Sequence, residues 1–169
     1  MGQATEVVLR IVLIGIGATA LTDLWGLVLK WRGIPTLDFA FLGRWMGHMP
    51  EGRWFHARIA AAAPVKGERW LGWIAHYAIG TAFATLPVAL FGLDWARHPS
   101  PLPALGVGVA TVVAPFLVMQ PALGAGVASS RTPKPVLNSL KSVVNHTVFG
   151  LGLYLAALAA AELIPAAGP

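Results

Sequence analysis

The chain has 169 residues, 56% of them hydrophobic and 11% charged, whereas a soluble globular domain carries about 25% charged residues. That balance excludes an ordinary soluble enzyme, and a formal charge of +5 in so apolar a chain reflects membrane topology and not nucleic-acid binding. Cysteine is absent, so disulfides, thiolate catalysis and Cys-ligated zinc or iron–sulfur centres are excluded.

Four apolar runs follow one another at about 7–29, 70–93, 102–127 and 136–163, each meeting the ~20 residues that cross a ~30 Å hydrocarbon layer. The first exceeds the ~7–15 residues of a signal-peptide core. It ends in Lys30, Trp31 and Arg32 without a small-residue cleavage pattern, and is expected to stay attached. Barrel strands would be about 9–11 residues and alternate in polarity. The expected fold is therefore all-α: one membrane domain over 1–169, four transmembrane helices in an up-down bundle. The 31–69 connection carries Leu37, Phe39, Phe41, Leu42, Trp45 and Met46 among cations, interrupted by Gly and Pro, which predicts a short amphipathic helix on the membrane surface. Asn138 or Ser139 is the expected cap of the last helix.

Arg10 and Arg97 lie on the side of the N-terminus, and the other ten Lys and Arg residues on the opposite side. Loops 31–69 and 128–135 should then be cytoplasmic and both termini outside. Trp31, Trp70 and Trp73 would mark the inner interface and Trp95 the outer one. Besides the bilayer itself, anionic headgroups or an anionic ligand are candidate partners for Arg44, Arg53, Arg58, Arg131 and Lys134; the alternative is that these cations only hold the loops inside.

Polar side chains inside the spans are the main functional signal, because an ionisable group there costs at least ~2.5–3.5 kcal/mol unless it finds a partner or water. Counting along the helices puts Asp23, His76, Gln120 and His146 at one level, about 10 Å in from the cytoplasmic ends. Asn145, Thr22, Thr147, Tyr77 and Ser142 are available to extend this layer. The plain alternative is helix-to-helix hydrogen bonding. Pro87, Pro115 and Pro121 each remove a helical hydrogen bond, and broken backbone beside Gln120 is one way to line a cavity. His76 and His146 share the spacing His-x3-Gly, leaving open an internal repeat. His48 and His56, eight apart amid Gly and Pro, are a weak metal signal.

The runs Gly17-Ala-Thr-Ala-Leu-Thr-Asp23-Leu-Trp25, Leu42-Gly-Arg44-Trp-Met-Gly-His48 and Gly67-Glu-Arg-Trp-Leu-Gly-Trp-Ile-Ala-His76-Tyr-Ala-Ile-Gly80 recur in a known pattern, together with Ala114-Pro-Phe-Leu-Val-Met-Gln120-Pro and His146-Thr-Val-Phe-Gly150-Leu-Gly-Leu-Tyr. This pattern resembles an uncharacterised bacterial family of small four-span inner-membrane proteins, known as a domain of unknown function. The resemblance covers nearly the whole chain. It implies the fold and the inner-membrane location and carries no activity, ligand or catalytic residue.

Three functional readings stand on the residues. In the first, the bundle binds a small polar solute or ion and handles it by proton exchange at Asp23 with His76 or His146, Gln120 and Asn145 completing the site; four short helices would then act as a homo-oligomer. In the second, His76 and His146 are axial ligands of haem b, or join Asp23 around a divalent metal, each glycine one turn above its histidine leaving room for a flat macrocycle. In the third, the chain is a non-catalytic membrane scaffold or accessory subunit. An enzyme ranks last: the sequence holds no Gly-rich nucleotide loop, His-Glu-x-x-His helix, nucleophile elbow or calcium loop.

Overall fold

A computed structural model describes residues 2–166, and the described residues are helices and turns with no strand. Helix α1 spans Gln3–Trp31 and closes in a Schellman motif. Gly33 turns left-handed at φ 73°, its N–H donates to the Lys30 carbonyl, and the Ile34 N–H donates to that of Leu29. The following segment forms a short helix, α2 (Phe39–His48), capped by the Asp38 carboxylate, which accepts from the Ala40 N–H at 3.0 Å.

The next apolar run is not one straight rod. Helix α3 (Glu68–Phe83) and helix α4 (Thr85–Arg97), the latter itself kinked at Gly92 (φ 82°, ψ 171°), are bent by 40° across a break at Ala84. The cause is Pro87: its ring nitrogen has no proton for the Phe83 carbonyl four residues back, and α3 stops at Phe83. Helix α5 (Pro101–Ala110) breaks four residues before Pro115 for the same reason. A π-helical turn over Pro115–Met119 then leads into α6 (Gln120–Leu123). Gly124, at φ 94°, ends this stretch, earlier than the 127 expected from hydropathy. Helix α7 spans Pro135–Leu163. Pro135 starts it and Lys134 occupies the cap position without a side-chain bond, so neither Asn138 nor Ser139 caps it. Instead Asn138 Nδ2 donates to Thr132 Oγ1 at 2.9 Å and Ser139 Oγ to the Ala128 carbonyl at 2.6 Å, tying the preceding turn to the helix.

Three helical stretches are long and apolar enough to cross a membrane: Gln3–Trp31, Pro101–Leu123 and Pro135–Leu163. The bent pair α3 and α4 makes a fourth if counted as one span. Small residues set how they meet. Gly17 abuts Ala156, Gly152 abuts Ala18, and Gly108 meets Gly150 backbone to backbone, so α7 runs antiparallel to both α1 and α5. On the other side of α1, Gly80 receives the Thr19 hydroxyl and Gly15 lies against Thr81, so α3 is also antiparallel to α1. The apolar core sits toward the N-terminal half of α1, around Ile14, Ala18, Trp95, Ala104, Val107, Phe149 and Leu153. Trp95 is 5% exposed and donates to the Ser100 carbonyl; it fills the core where an outer interface ring was expected. Trp31 and Trp70 are exposed, as interface rings are. Leu24, Leu27, Ile74, Leu90 and Val118 are exposed on the outer faces of their helices, which suits hydrocarbon and not water.

Candidate functional site

Helix α1 divides its faces by periodicity. Gly15, Thr19 and Asp23, four residues apart, lie toward α3, whereas Ala18 and Trp25 lie toward α7. Asp23 thereby meets two consecutive residues of α3. Its Oδ1 is 2.9 Å from His76 Nε2, and its Oδ2 accepts from the Tyr77 hydroxyl at 2.9 Å. The carboxylate and imidazole side chains keep 18% and 20% exposure, so the pair is sheltered but reachable. Helix α2 supplies the cover. Phe39 stacks on the His76 ring with centroids 4.0 Å apart and an interplanar angle of 25°, and Trp73 meets both rings edge-on. Among the described residues His76 Nδ1 has no protein partner.

This shelter depends on a close crossing of α2 and α3. A Cβ on Gly43 would overlap the Glu68 carbonyl, and one on Gly72 would overlap that of Phe39. Alongside, Arg44 Nε and Nη2 grip the two Glu68 oxygens at 2.8 and 2.7 Å, while Nη1 reaches the carbonyls of Ile59 and Ala62 at 3.2 and 3.1 Å. Glu68 also accepts from the Val65 N–H. The carboxylate bond raises the guanidinium further above its already high pKa, ahead of the opposing effect of burial. Arg44 is therefore a buried clasp between α2, the 59–62 turn and α3. Arg53 is exposed and pairs with Glu51 at 2.7 Å. Arg58, Arg131 and Lys134 are exposed.

The other members of the expected polar layer do not converge on Asp23. His146 Nδ1 lies 2.8 Å from Thr111 Oγ1, and that hydroxyl also donates to the Gly108 carbonyl at 2.6 Å. A hydroxyl has one proton, so Nδ1 carries the proton of the imidazole. Asn145 Oδ1 accepts from Trp25 Nε1 at 3.0 Å, fastening α7 to α1. Gln120 is buried between Ser129, which donates to its Oε1 at 3.2 Å, and Ser142, which accepts from its Nε2 at 3.1 Å. Because Gly124 ends the helix early, Gln120 sits only about four residues, ~6 Å, from its end and falls below the level of Asp23. His76 and His146 are held by different partners on different helices. Among the described residues no three His, Asp or Glu side chains gather as a metal site. The space above each histidine is also taken: Thr19 fills the position a Gly80 Cβ would need, and the backbone of α5 around Ala104 and Leu105 crowds Gly150. The residues thus do not form the slot for a flat macrocycle that the His-x3-Gly spacing suggested.

Two further clusters lie at the ends of the bundle: one around Glu6, which the sequence did not point to, and the His48–His56 pair, which it offered only as a weak metal signal. Glu6 is fully buried and accepts from Arg10 Nε at 2.8 Å and from Arg97 Nε and Nη2 at 2.9 and 2.7 Å. Arg10 goes on to the carbonyls of Ala96, Ala160 and Ile164. The i, i+4 spacing of Glu6 and Arg10 was the available signal; Arg97 and α7 were beyond it. At the opposite end His48 Nδ1 lies 2.8 Å from His56 Nε2, the rings stacked at 28°. His56 Nδ1 is buried without a partner among the described residues. Burial, then the neighbouring His48, lowers the His56 pKa.

The Asp23 site and the polar pairs around it fall inside a stretch shared with other proteins: residues 12–160 match the model of the family described as Protein of unknown function (DUF2938). No curated protein and no solved structure matches the chain. With that match covering all but its ends, the chain belongs to the DUF2938 family.

Proposed function

We propose that this protein crosses the bacterial inner membrane four times, as an up-down bundle with both termini outside the cytoplasm. We further propose that Asp23 and His76 form a proton-exchanging site through which it binds and passes a small polar solute or ion. The topology is supported by the distribution of Lys and Arg and by the apolar length of the bent pair α3 and α4. The observation that carries the function is the bond between the Asp23 carboxylate and the His76 imidazole within two apolar helices.

A carboxylate buried in a span needs a proton or a partner, and an imidazole changes its charge near neutral pH. Joined by one hydrogen bond, the two hold a single proton between them, while the Tyr77 hydroxyl occupies the second carboxylate oxygen. A second proton arriving at His76 Nδ1 converts the pair to carboxylate and imidazolium. A solute that donates a hydrogen bond, or carries positive charge, competes for Asp23 and releases that proton. Phe39 and Trp73 lie over the imidazole, keeping water from short-circuiting the exchange.

The test is proton movement in proteoliposomes enclosing a pH-sensitive dye, driven by imposed gradients of a panel of small polar solutes and cations. The wild type should couple at least one gradient to a pH change, and Asp23→Asn, inserted normally, should lose the coupling. Coupling retained in Asp23→Asn would overturn the proposal, as would a wild type that moves no proton with any solute.

A further inference from the structure

At the end of the bundle where α6 stops and α7 begins, a cavity of about 310 Å³ is lined by Phe55, Pro121, Gly126, Val127, Ser130 and Arg131. Its walls are fixed from two sides. The His56 N–H donates to the Ala122 carbonyl at 2.8 Å, and Gly124 packs so closely on the carbonyls of His56 and Ala57 that no side chain fits there. On the other side the turn at 126–131 rolls over Gly126, whose missing Cβ position is taken by the Ser130 hydroxyl and the Arg131 side chain. Ala128 and Ser129 hold left-handed backbone at φ 46° and 62°, kept there by Ser139 Oγ on the Ala128 carbonyl and by Ser129 Oγ on Gln120. Strain of this kind persists only where surrounding bonds over-determine it.

The result of that fixed turn is that Ser130 and Arg131, consecutive in sequence, both line the cavity. Neither the Arg131 guanidinium nor the Ser130 hydroxyl has a protein partner among the described residues, and both residues are exposed. Arg44 is consumed by Glu68 and Arg53 by Glu51, whereas Arg131 is an unspent cation in a preformed concavity. A planar fork of N–H donors with an adjacent O–H suits the oxygens of a phosphate group. The remaining wall is apolar, with Phe55 75% and Val127 53% exposed beside the polar corner, so the cavity matches a phosphate attached to a hydrophobic tail.

We propose that this cavity is a phosphate-group site, and that the anionic head of a phospholipid occupies it with its tails along Phe55 and Val127. It is distinct from the Asp23 site in residues and position and does not depend on proton exchange there. Arg131 binds the phosphate oxygens, Ser130 donates to one of them, and Gly126 lets both side chains close over the turn. Lys134, three residues on, lies outside the lining.

The proposal is tested on the full chain in detergent by native mass spectrometry with three probes: dioleoyl phosphatidic acid, dioleoylglycerol as the same tails without phosphate, and inorganic phosphate. Phosphatidic acid should remain bound and dioleoylglycerol should not. Arg131→Gln should weaken retention about tenfold, the loss of a charged hydrogen bond, with Lys134→Gln unchanged. Phe55→Ala, at an exposed position, should weaken the lipid alone, and it provides a second reading if Arg131→Gln is poorly made. Inorganic phosphate bound in an Arg131-dependent manner, with no gain from the tails, would keep the phosphate site but make its source soluble. Equal retention of dioleoylglycerol, equal loss in Lys134→Gln, retention indifferent to both Arg131 and Phe55, or no binding of either phosphate probe would overturn it.

Discussion

Arg44 and Glu68 form a two-pronged ion pair between a surface helix and the first turn of α3, with both side chains largely withdrawn from solvent. Because the third nitrogen of the guanidinium holds the Ile59 and Ala62 carbonyls, the pair also anchors a segment with no long helix of its own. Removing one partner leaves a sheltered charge uncompensated, at a cost of about 3–5 kcal/mol for a buried pair, less in proportion to its residual exposure. Arg44→Met should therefore lower the thermal midpoint and open the 49–67 segment to trypsin at Arg53, Arg58 and Lys66. The double variant Arg44→Met with Glu68→Leu should recover much of the midpoint, since neither charge remains buried, while the segment stays cleavable because its carbonyls have lost their donor. Limited proteolysis with intact-mass readout checks both outcomes; a resistant Arg44→Met segment would contradict this anchoring role.

The helices were legible in the sequence because hydrocarbon length and charge distribution act on whole segments. Positions within them were less so. Asp23, His76 and Tyr77 come together because a depth count works along straight helices, and α1 and α3 are straight there. The count failed for Gln120, where a π-helical turn and the left-handed Gly124 changed the register and ended the helix early. Charge alone did not show that Arg44 pairs with Glu68, 24 residues away across a crossing that only Gly43 and Gly72 permit. Trp95 was misassigned because an aromatic belt and a buried indole have the same one-letter signature; its Nε1 found the Ser100 carbonyl.

The α2–α3 crossing makes a contrast among glycines. Gly43 and Gly72 each face the carbonyl of the opposite helix with no space for a methyl group, whereas Gly26 and Gly106 have open space around them. Gly43→Ala and Gly72→Ala should each cost about 1–3 kcal/mol or more, as overpacking does, and should lift Phe39 off His76. Gly26→Ala and Gly106→Ala should be neutral or gain about 0.5–1 kcal/mol from helix propensity. Thermal midpoints of the four variants in one detergent give the comparison. Equal tolerance in both pairs would mean that α2 does not pack as closely as the geometry requires.

The His48–His56 pair makes stability pH-dependent. One hydrogen bond between two ring nitrogens needs one of them unprotonated, and the His56 pKa is lowered by burial and by His48, with Arg53 adding a smaller effect. The folded state therefore takes up this proton less readily than the unfolded chain, whose imidazole titrates near ~6.5. Stability is then lost as pH falls below that unfolded value and toward the folded one. The wild-type midpoint should drop between about pH 7.5 and 5.5, and His56→Gln should flatten that slope while keeping the backbone bond to Ala122. An unchanged slope in His56→Gln would assign the pH dependence elsewhere.

Glu6 is itself closed to solvent and receives two guanidinium groups. Arg10 is 1% exposed and spends one nitrogen on Glu6 and the others on the carbonyls of Ala96, Ala160 and Ile164. The last two belong to the C-terminal end of α7, where unpaired carbonyls concentrate negative dipole. The cluster thus closes the bundle by capping its longest C-terminal helix from α1. Glu6→Gln should remove the one anion in contact with both cations and cost about 3–5 kcal/mol. Arg10→Met should cost a similar amount through the Ala96 and Ile164 carbonyls left without their donor, while the Ala160 carbonyl keeps the Ile164 N–H, and should also raise hydrogen exchange over the last turn of α7. Exchange near 160–164 separates the two variants: Glu6→Gln should disturb it less, because the Arg10 bonds to α7 survive. Equal exchange in wild type and Arg10→Met would show that α7 ends firmly without this cap.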